Sequence, residues 1–422
     1  MDVINRLLEG IPLPKMALVA QEFPRPRLED IEGALRAKIK TGEYFKAVKP
    51  GSEIAIAVGS RGISNLPVIV RTIVDELKAQ KAKPFIVPAM GSHAAATAEG
   101  QKAMLEGLGI SQDKVGAEIR ATMEAVQLGV SPLGLPVYLD ANAAKADGIV
   151  VVNRIKPHVC FRGPYESGLM KMITIGLGKQ VGADFCHRLG FETMAAHIPD
   201  IGCTTISKVN ILCGVGIIEN AYHETAQIHC MRGDEISERE PELLEDARKL
   251  CSRIYFDTLD VLIIDEIGKD ISGSGFDTNI VGRYHSPCIS GGPKINRVGI
   301  LDISEKSKGN GNGLGMADFI PQRARDKFDF EQTYPNTLTA TLTGGVKIPM
   351  TLANDTLVMQ ACVKVAGLVD MGKVRMVRIR NTLSLGEILV SESLLGEVER
   401  HPHMRLLRAA EDLTFTAQGN LF

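Results

Sequence analysis

Three residues within 147–190, His158, Lys171 and His187, have side chains suited to proton transfer, acyl chemistry and metal binding. Imidazole titrates near neutrality, which makes histidine the usual acid, base or nitrogen ligand of an enzyme site. Lys171 stands in Gly-Leu-Met-Lys-Met-Ile-Thr-Ile-Gly, where nearly every neighbour is apolar. Desolvation disfavours the charged form of a lysine and leaves an amine able to act as nucleophile or acyl acceptor. The same surroundings also suit a blander arrangement, with the stem packed on apolar side chains and the ammonium in water. His187 closes Val-Gly-Ala-Asp-Phe-Cys-His, a helical pattern in which a lone histidine is more often a hydrogen-bonded core residue than a ligand.

The elements that position these residues start with 148–152, an apolar, β-branched run of the kind buried on both faces of a sheet. Polar residues follow at once: Asn153, Arg154, Lys156 and His158. Pro157 has no N–H for a ladder and biases Lys156 away from helical geometry, so the strand ends there and His158 lies on a loop. An earlier run, 53–58 (EIAIAV), leads into Gly-Ser-Arg-Gly-Ile-Ser-Asn and then a helical pattern. A turn of small residues at a helix start offers N–H groups to an anion, and Arg61 adds a forked cation; a capped turn with a surface arginine is the alternative. The run 84–88 ends in Ala-Met-Gly-Ser-His before a helix over 97–107, which puts His93 in an equivalent place.

Alternating strands and helices predict an α/β domain with a largely parallel sheet. Ligands of such sheets bind outside the carboxyl ends of the strands, so the turns of Arg61, His93 and His158 are expected to face one cleft. Two histidines on opposite walls form an acid and base pair that reaches a stereocentre from either face, unless both are hydrogen-bonded for structure alone.

At 422 residues the chain exceeds a single core, and domains are expected at 1–268 and 269–422. The expected architecture is a two-domain α/β enzyme, with a smaller α/β C-terminal domain and the active-site cleft between the two. Runs at 208–218 and 261–264, with a charged helix over 235–253, are expected to complete the first domain. Residues 271–277 (ISGSGFD) are expected to be a hinge, and 308–313 (KGNGNG) a mobile loop. Further strands are expected at 297–303 and 374–379, with helices at 317–327 and 355–366. Arg323, Arg325 and Lys327 read as a solvated face, and the tail from 386, with His401 and His403, as a terminal helix.

Composition narrows the partner. With 48 Lys and Arg against 50 Asp and Glu, the net charge of −2 argues against nucleic acid or an anionic membrane and for a small molecule. Eight cysteines without a CxxC pair read as reduced thiols. No window reaches the roughly 18 apolar residues of a membrane helix, and the first ten residues lack a leader pattern, so a cytoplasmic location is expected.

The ordered set Ser60-Arg61, Gly91-Ser92-His93, Lys156-Pro157-His158, Lys171 and, sixteen residues on, His187 resembles the lactate racemase family, across most of the first 200 residues. The resemblance implies a nickel-pincer nucleotide joined to Lys171 as a thioamide, with His187 as the protein ligand to nickel and Ser60 and Arg61 as further contacts. It implies that His93 and His158 are the acid/base pair inverting C2 of a 2-hydroxy acid. Imidazole suits a square-planar nickel whose other ligands are soft sulfurs.

The sequence departs from the family at Val58, where an acidic residue is expected, and at 161–168 (FRGPYESG), in place of a glycine-rich loop. The second departure leaves Lys179 as a rival anchor. Arg154, Lys156 and Arg162, expected beside Arg61 on the substrate, exceed what one phosphate and one carboxylate require, which points to a substrate larger or more polar than lactate. Two alternatives stand beside this reading. One is a zinc hydrolase built on His93, His158 and His187, against which stands the lack of HxH or HExxH spacing. The other is a non-catalytic protein that binds an anionic nucleotide through the Arg61 turn.

Overall fold

The strand Gly148–Arg154 lies in the middle of a five-stranded sheet, as its unbroken apolar run requires. A computed structural model describes residues 2–422 and divides the chain into two units, Pro24–Cys251 and Met1–Phe23 with Ser252–Phe422.

In the first unit the strand order is Lys83–Pro88, Glu53–Val58, Gly148–Arg154, Ile211–Glu219, Thr225–Met231. The first four are parallel and the last is antiparallel. Val58 is level with both Pro88 and Val152, so the three strands finish at one edge and their following turns leave it together. Ile54, Ile56, Val58, Val150 and Val152 all point into one core with Leu66, Ile69, Val70 and Ile73 of the helix Leu66–Ala79. Each such side chain contributes about 1.5–3 kcal/mol when buried, which makes this face the main restraint on the height of the strand ends.

The second unit holds an eight-stranded sheet in the order Met350–Leu352, Phe319–Pro321, Lys294–Ile300, Thr258–Ile264, Met376–Ile379, Glu387–Ser391, Met16–Gln21, Met404–Glu411. Its first five strands are parallel and the rest antiparallel. The α/β class with largely parallel sheets is therefore as expected, whereas several local expectations are not. The run 261–264 belongs to this sheet, flanked by Lys294–Ile300 and Met376–Ile379, and the chain divides after Cys251 instead of Gly268. Periodicity identifies a buried strand but not the sheet that receives it.

Residues 271–277 are not a hinge. Ser274 is buried, and a Cβ on Gly275, at φ +87°, would lie 1.9 Å from the Asn312 carbonyl oxygen. These glycines allow one backbone to lie on another, which also holds 308–313 in place. Within that loop Gly313 N–H donates to the Gly345 carbonyl at 2.8 Å and Gly311 N–H to Thr333 Oγ1 at 3.0 Å. Arg323 and Lys327 pair with Asp302, Asp355 and Glu305 instead of facing solvent unpaired. The tail is Glu387–Ser391, the short helix Leu395–Arg400 and the strand Met404–Glu411, not a terminal helix. Pairing with Met16–Gln21 overrides the helical propensity of Met-Arg-Leu-Leu-Arg-Ala-Ala-Glu. Among the described residues no helix is long and apolar enough to cross a membrane.

Candidate active site

Beyond Gly148–Arg154 the backbone of Lys156 pairs with that of Ser167, at 2.8 and 3.1 Å, and closes a loop over 156–167. The loop is built around Glu166, whose side chain has no accessible surface. Its carboxylate accepts from His158 N–H at 2.6 Å and Gly163 N–H at 3.3 Å, and pairs with Arg248 at 2.5 Å and Arg162 at 3.4 Å. Arg162 also donates to the His158 carbonyl at 2.8 Å. The peptide on both sides of His158 is thereby fixed, and Arg162 is engaged in that scaffold.

Removing one partner of a buried charge pair costs about 3–5 kcal/mol. Glu166→Ala is expected to cost roughly 3 kcal/mol, near the lower end because both guanidinium groups keep some access to water. Denaturant unfolding measures this, and a loss below roughly 1 kcal/mol would remove Glu166 as the organiser of the loop.

Lys171 ends the short helix Leu169–Lys171, which continues as a π turn, Met172–Gly176, into the helix Lys179–Arg188. Glu240, from Ile236–Leu250, accepts the Met170 N–H at 2.8 Å, so a carboxylate caps the turn that carries Lys171. Burial raises the Glu240 pKa to about 7 against the pull of the backbone N–H groups of that turn.

A carboxyl whose folded pKa lies above its unfolded value contributes stability that is complete at low pH and is lost as pH rises through the folded pKa. The ordinary value is about 4.3, so Glu240 is expected to withdraw up to about 3 kcal/mol between pH 4 and 8. Glu240→Gln should flatten that fall, as urea unfolding at acid and mildly alkaline pH would register. An equally steep fall in the variant would assign it to another group.

Lys171 Nζ lies 2.6 Å from Nε2 of His158. Although Lys171 keeps some accessible surface, it sits deep enough for burial to be the first cause lowering its pKa to about 8. Arg61 and Lys156 add to this lowering, and Cys160 and Glu166 oppose it. His187 is brought down to about 4, by burial first and then by the charge of Lys171, against a hydrogen bond to the Ala183 backbone. Phe191 has its ring centroid 5.7 Å from that of His187 and 6.4 Å from that of His158, and Phe161 lies 4.5 Å from His158. His158, Lys171 and His187 thus gather on one aromatic wall.

Lys179, at φ +56°, is wholly buried and differently employed. Its ammonium donates to the Pro88 carbonyl at 2.9 Å and Gln101 Oε1 at 2.8 Å, and lies 3.4 Å from Asp140 Oδ2. It braces the end of Lys83–Pro88. Ser60 and Arg61 lie in the turn after Val58. Arg61 has no hydrogen-bond or ion-pair partner among the described residues; its side chain keeps solvent access, yet desolvation and then the like charge of Arg154 lower its pKa. Arg154 itself pairs with Glu219, which also accepts the Ser64 N–H at 2.7 Å.

His93, exposed, follows Lys83–Pro88 and bonds the Met90 carbonyl through Nδ1 at 2.7 Å, an arrangement in which Nε2 carries the lone pair. Its loop rests on the stretch between Lys171 and His187. Gly91 N–H donates to the Gly176 carbonyl at 3.1 Å, and a Cβ on Gly91 would lie 3.2 Å from that of Ala183.

Residues 16–197 match the family described as the lactate racemase N-terminal domain. This part of the chain is similar to the lactate racemase family. The match takes in Ser60, Arg61, His93, Lys156, His158, Lys171 and His187. No curated protein matches the chain. Among solved structures it is similar to the lactate racemase apoprotein from Thermoanaerobacterium thermosaccharolyticum, with a TM-score of 0.53 and 14% identity, over 87% of this chain and 94% of that one. At that identity the likeness is one of fold.

The residues present fit the cofactor that the family resemblance implied. Among the described residues no group of three or more His, Cys, Asp and Glu could hold a metal ion. A histidine that stays neutral is the ligand form. Two buried carboxylates that hold the His158 loop and the Lys171 turn, Glu166 and Glu240, were not singled out from the sequence. Nothing in the sequence marks a loop glutamate or a glutamate in Ser-Glu-Arg-Glu-Pro-Glu as buried.

Proposed function

We propose that the protein is a racemase or epimerase that inverts C2 of a 2-hydroxy acid, using a nickel-pincer nucleotide attached to Lys171. The observation that carries the reading is the meeting of a desolvated lysine amine with His158, beside His187, in the segment that matches the family. When bound, the cofactor supplies the acceptor and the source of the hydride. His187 would hold the nickel, and Ser60 and Arg61 would hold anionic groups at the turn after Val58.

His93 and His158 do the proton work. His93 would work through Nε2, left open by the bond from Nδ1 to the Met90 carbonyl, and His158 through its own Nε2, which faces Lys171. Phe161 and Phe191 exclude water from the same wall. Arg61, with no hydrogen-bond or ion-pair partner among the described residues, is the cation for the substrate carboxylate. Arg154 and Arg162 are already matched by Glu219 and Glu166, which removes two supports for a substrate with a second carboxylate.

The test is a panel of single-enantiomer 2-hydroxy acids, lactate included, offered to protein made with the cofactor pathway present and followed by chiral chromatography and nickel analysis. Interconversion with bound nickel is expected. Loaded protein that leaves every 2-hydroxy acid unchanged would overturn the reading.

A further inference from the structure

Two hydrogen bonds on one imidazole fix the position of its proton. The Cys160 backbone N–H donates to Nδ1 of His158 at 3.1 Å, so that nitrogen offers a lone pair. The single proton of the neutral ring is then on Nε2. That nitrogen lies 2.6 Å from Lys171 Nζ, and an Nε2–H needs a lone pair to donate to. An ammonium has none.

We infer that His158 and Lys171 form one protonation unit in the protein without cofactor, an Nε2–H imidazole donating to a neutral lysine amine, and that the Cys160 amide weighs against its charged states. An imidazolium would carry a proton on Nδ1, pointing at the Cys160 N–H. An ammonium would need Nε2 as acceptor, which moves the ring proton to Nδ1 and meets the same obstacle. The surroundings favour the neutral unit. Arg61 and Lys156 bring like charge to Lys171, while Glu166 and Cys160 oppose them from the His158 loop. From Lys179–Arg188, Cys186 and His187 also feel the lysine charge. The loop cannot yield easily, because Glu166 and Arg162 hold the His158 peptide on both sides.

The consequence rests on the racemase reading in one respect, the purpose of the amine. Before attachment the lysine is stored in its nucleophilic form and aimed by the imidazole. After acylation its nitrogen has no localised lone pair, and His158 Nε2 is released to face a substrate. One ring thus serves attachment first and proton transfer afterwards.

Both tests use the protein without cofactor or substrate, so a protein that never racemises can still show the dyad, and an active racemase can lack it. Long-range ¹H–¹⁵N correlation on histidine-labelled wild type, with His158 assigned by its loss in His158→Phe, should give the Nε2–H tautomer at neutral pH. An Nδ1–H tautomer or an imidazolium there overturns the inference. Competitive acetylation with acetic anhydride, read peptide by peptide across pH, should show Lys171 titrating well below surface lysines. In His158→Phe its midpoint should rise, and each pH unit of rise lowers labelling at neutral pH about tenfold. An unchanged profile in a variant that keeps wild-type circular dichroism and melting would overturn the inference. If that variant does not fold, the wild-type tautomer decides alone.

Discussion

His93→Ala and His158→Ala are each expected to abolish interconversion of enantiomers per bound nickel, His93→Ala with loading unchanged. A positioned acid or base contributes roughly 10²–10⁴-fold to a proton-transfer step, and a racemase needs one at each face, so either loss stops the cycle in both directions. Neither substitution touches His187, which is why metal content separates loss of chemistry from loss of cofactor. His158 is held at both sides of its peptide by Glu166 and Arg162, so trimming its ring leaves the loop's scaffold intact. Turnover within a few-fold of wild type in either variant removes that histidine from the mechanism.

Lys171→Ala is expected to eliminate the cofactor adduct altogether. Intact-mass analysis of the loaded protein should show an added mass of nucleotide size in wild type and none in Lys171→Ala. Lys179→Met should retain it. The distinction follows from what each amine touches: that of Lys179 donates to the Pro88 carbonyl and Gln101 and faces Asp140, all of which acylation would break. That of Lys171 meets an imidazole able to release it. Loss of the adduct from Lys179→Met, with retention in Lys171→Ala, would move the anchor. Because Lys179→Met leaves Asp140 buried without its counter-charge, it is expected to melt lower, which a parallel thermal scan would record.

What could be read from the sequence depended on whether the signal was local. The runs at 53–58, 84–88 and 148–152 were legible because a strand buried on both faces is apolar throughout. Their carboxyl ends then fixed where Arg61, His93 and His158 emerge. The apolar neighbours of Lys171 left two readings open, a desolvated amine or a head in water, and burial in the fold favours the first. Charge pairing was not. Arg154 and Arg162 looked like ligands of a substrate, but their partners, Glu219 and Glu166, are set by folding and carry no mark in sequence. The same holds for Glu240, which belongs to a charged helix yet ends inside the protein, on the turn of Lys171. Glycine-rich stretches were misread for a related reason: 308–313 carries the residues of a flexible loop, but here glycine lets backbones touch.

The strand Met16–Gln21 has a consequence for biosynthesis. Its neighbours are Glu387–Ser391 and Met404–Glu411, the nearer of which begins 366 positions after Gln21. At ribosomal rates of about 5–20 residues per second, the apolar segment Met-Ala-Leu-Val-Ala-Gln waits roughly 20–70 s for a partner. During that interval the whole of Pro24–Cys251, with His158, Lys171 and His187, has left the ribosome and can collapse on its own contacts. The last strands to be synthesised then clasp the first. Nascent chains stalled before residue 387 should therefore expose an unpaired strand to chaperones, while the unit that carries the chemistry is already complete.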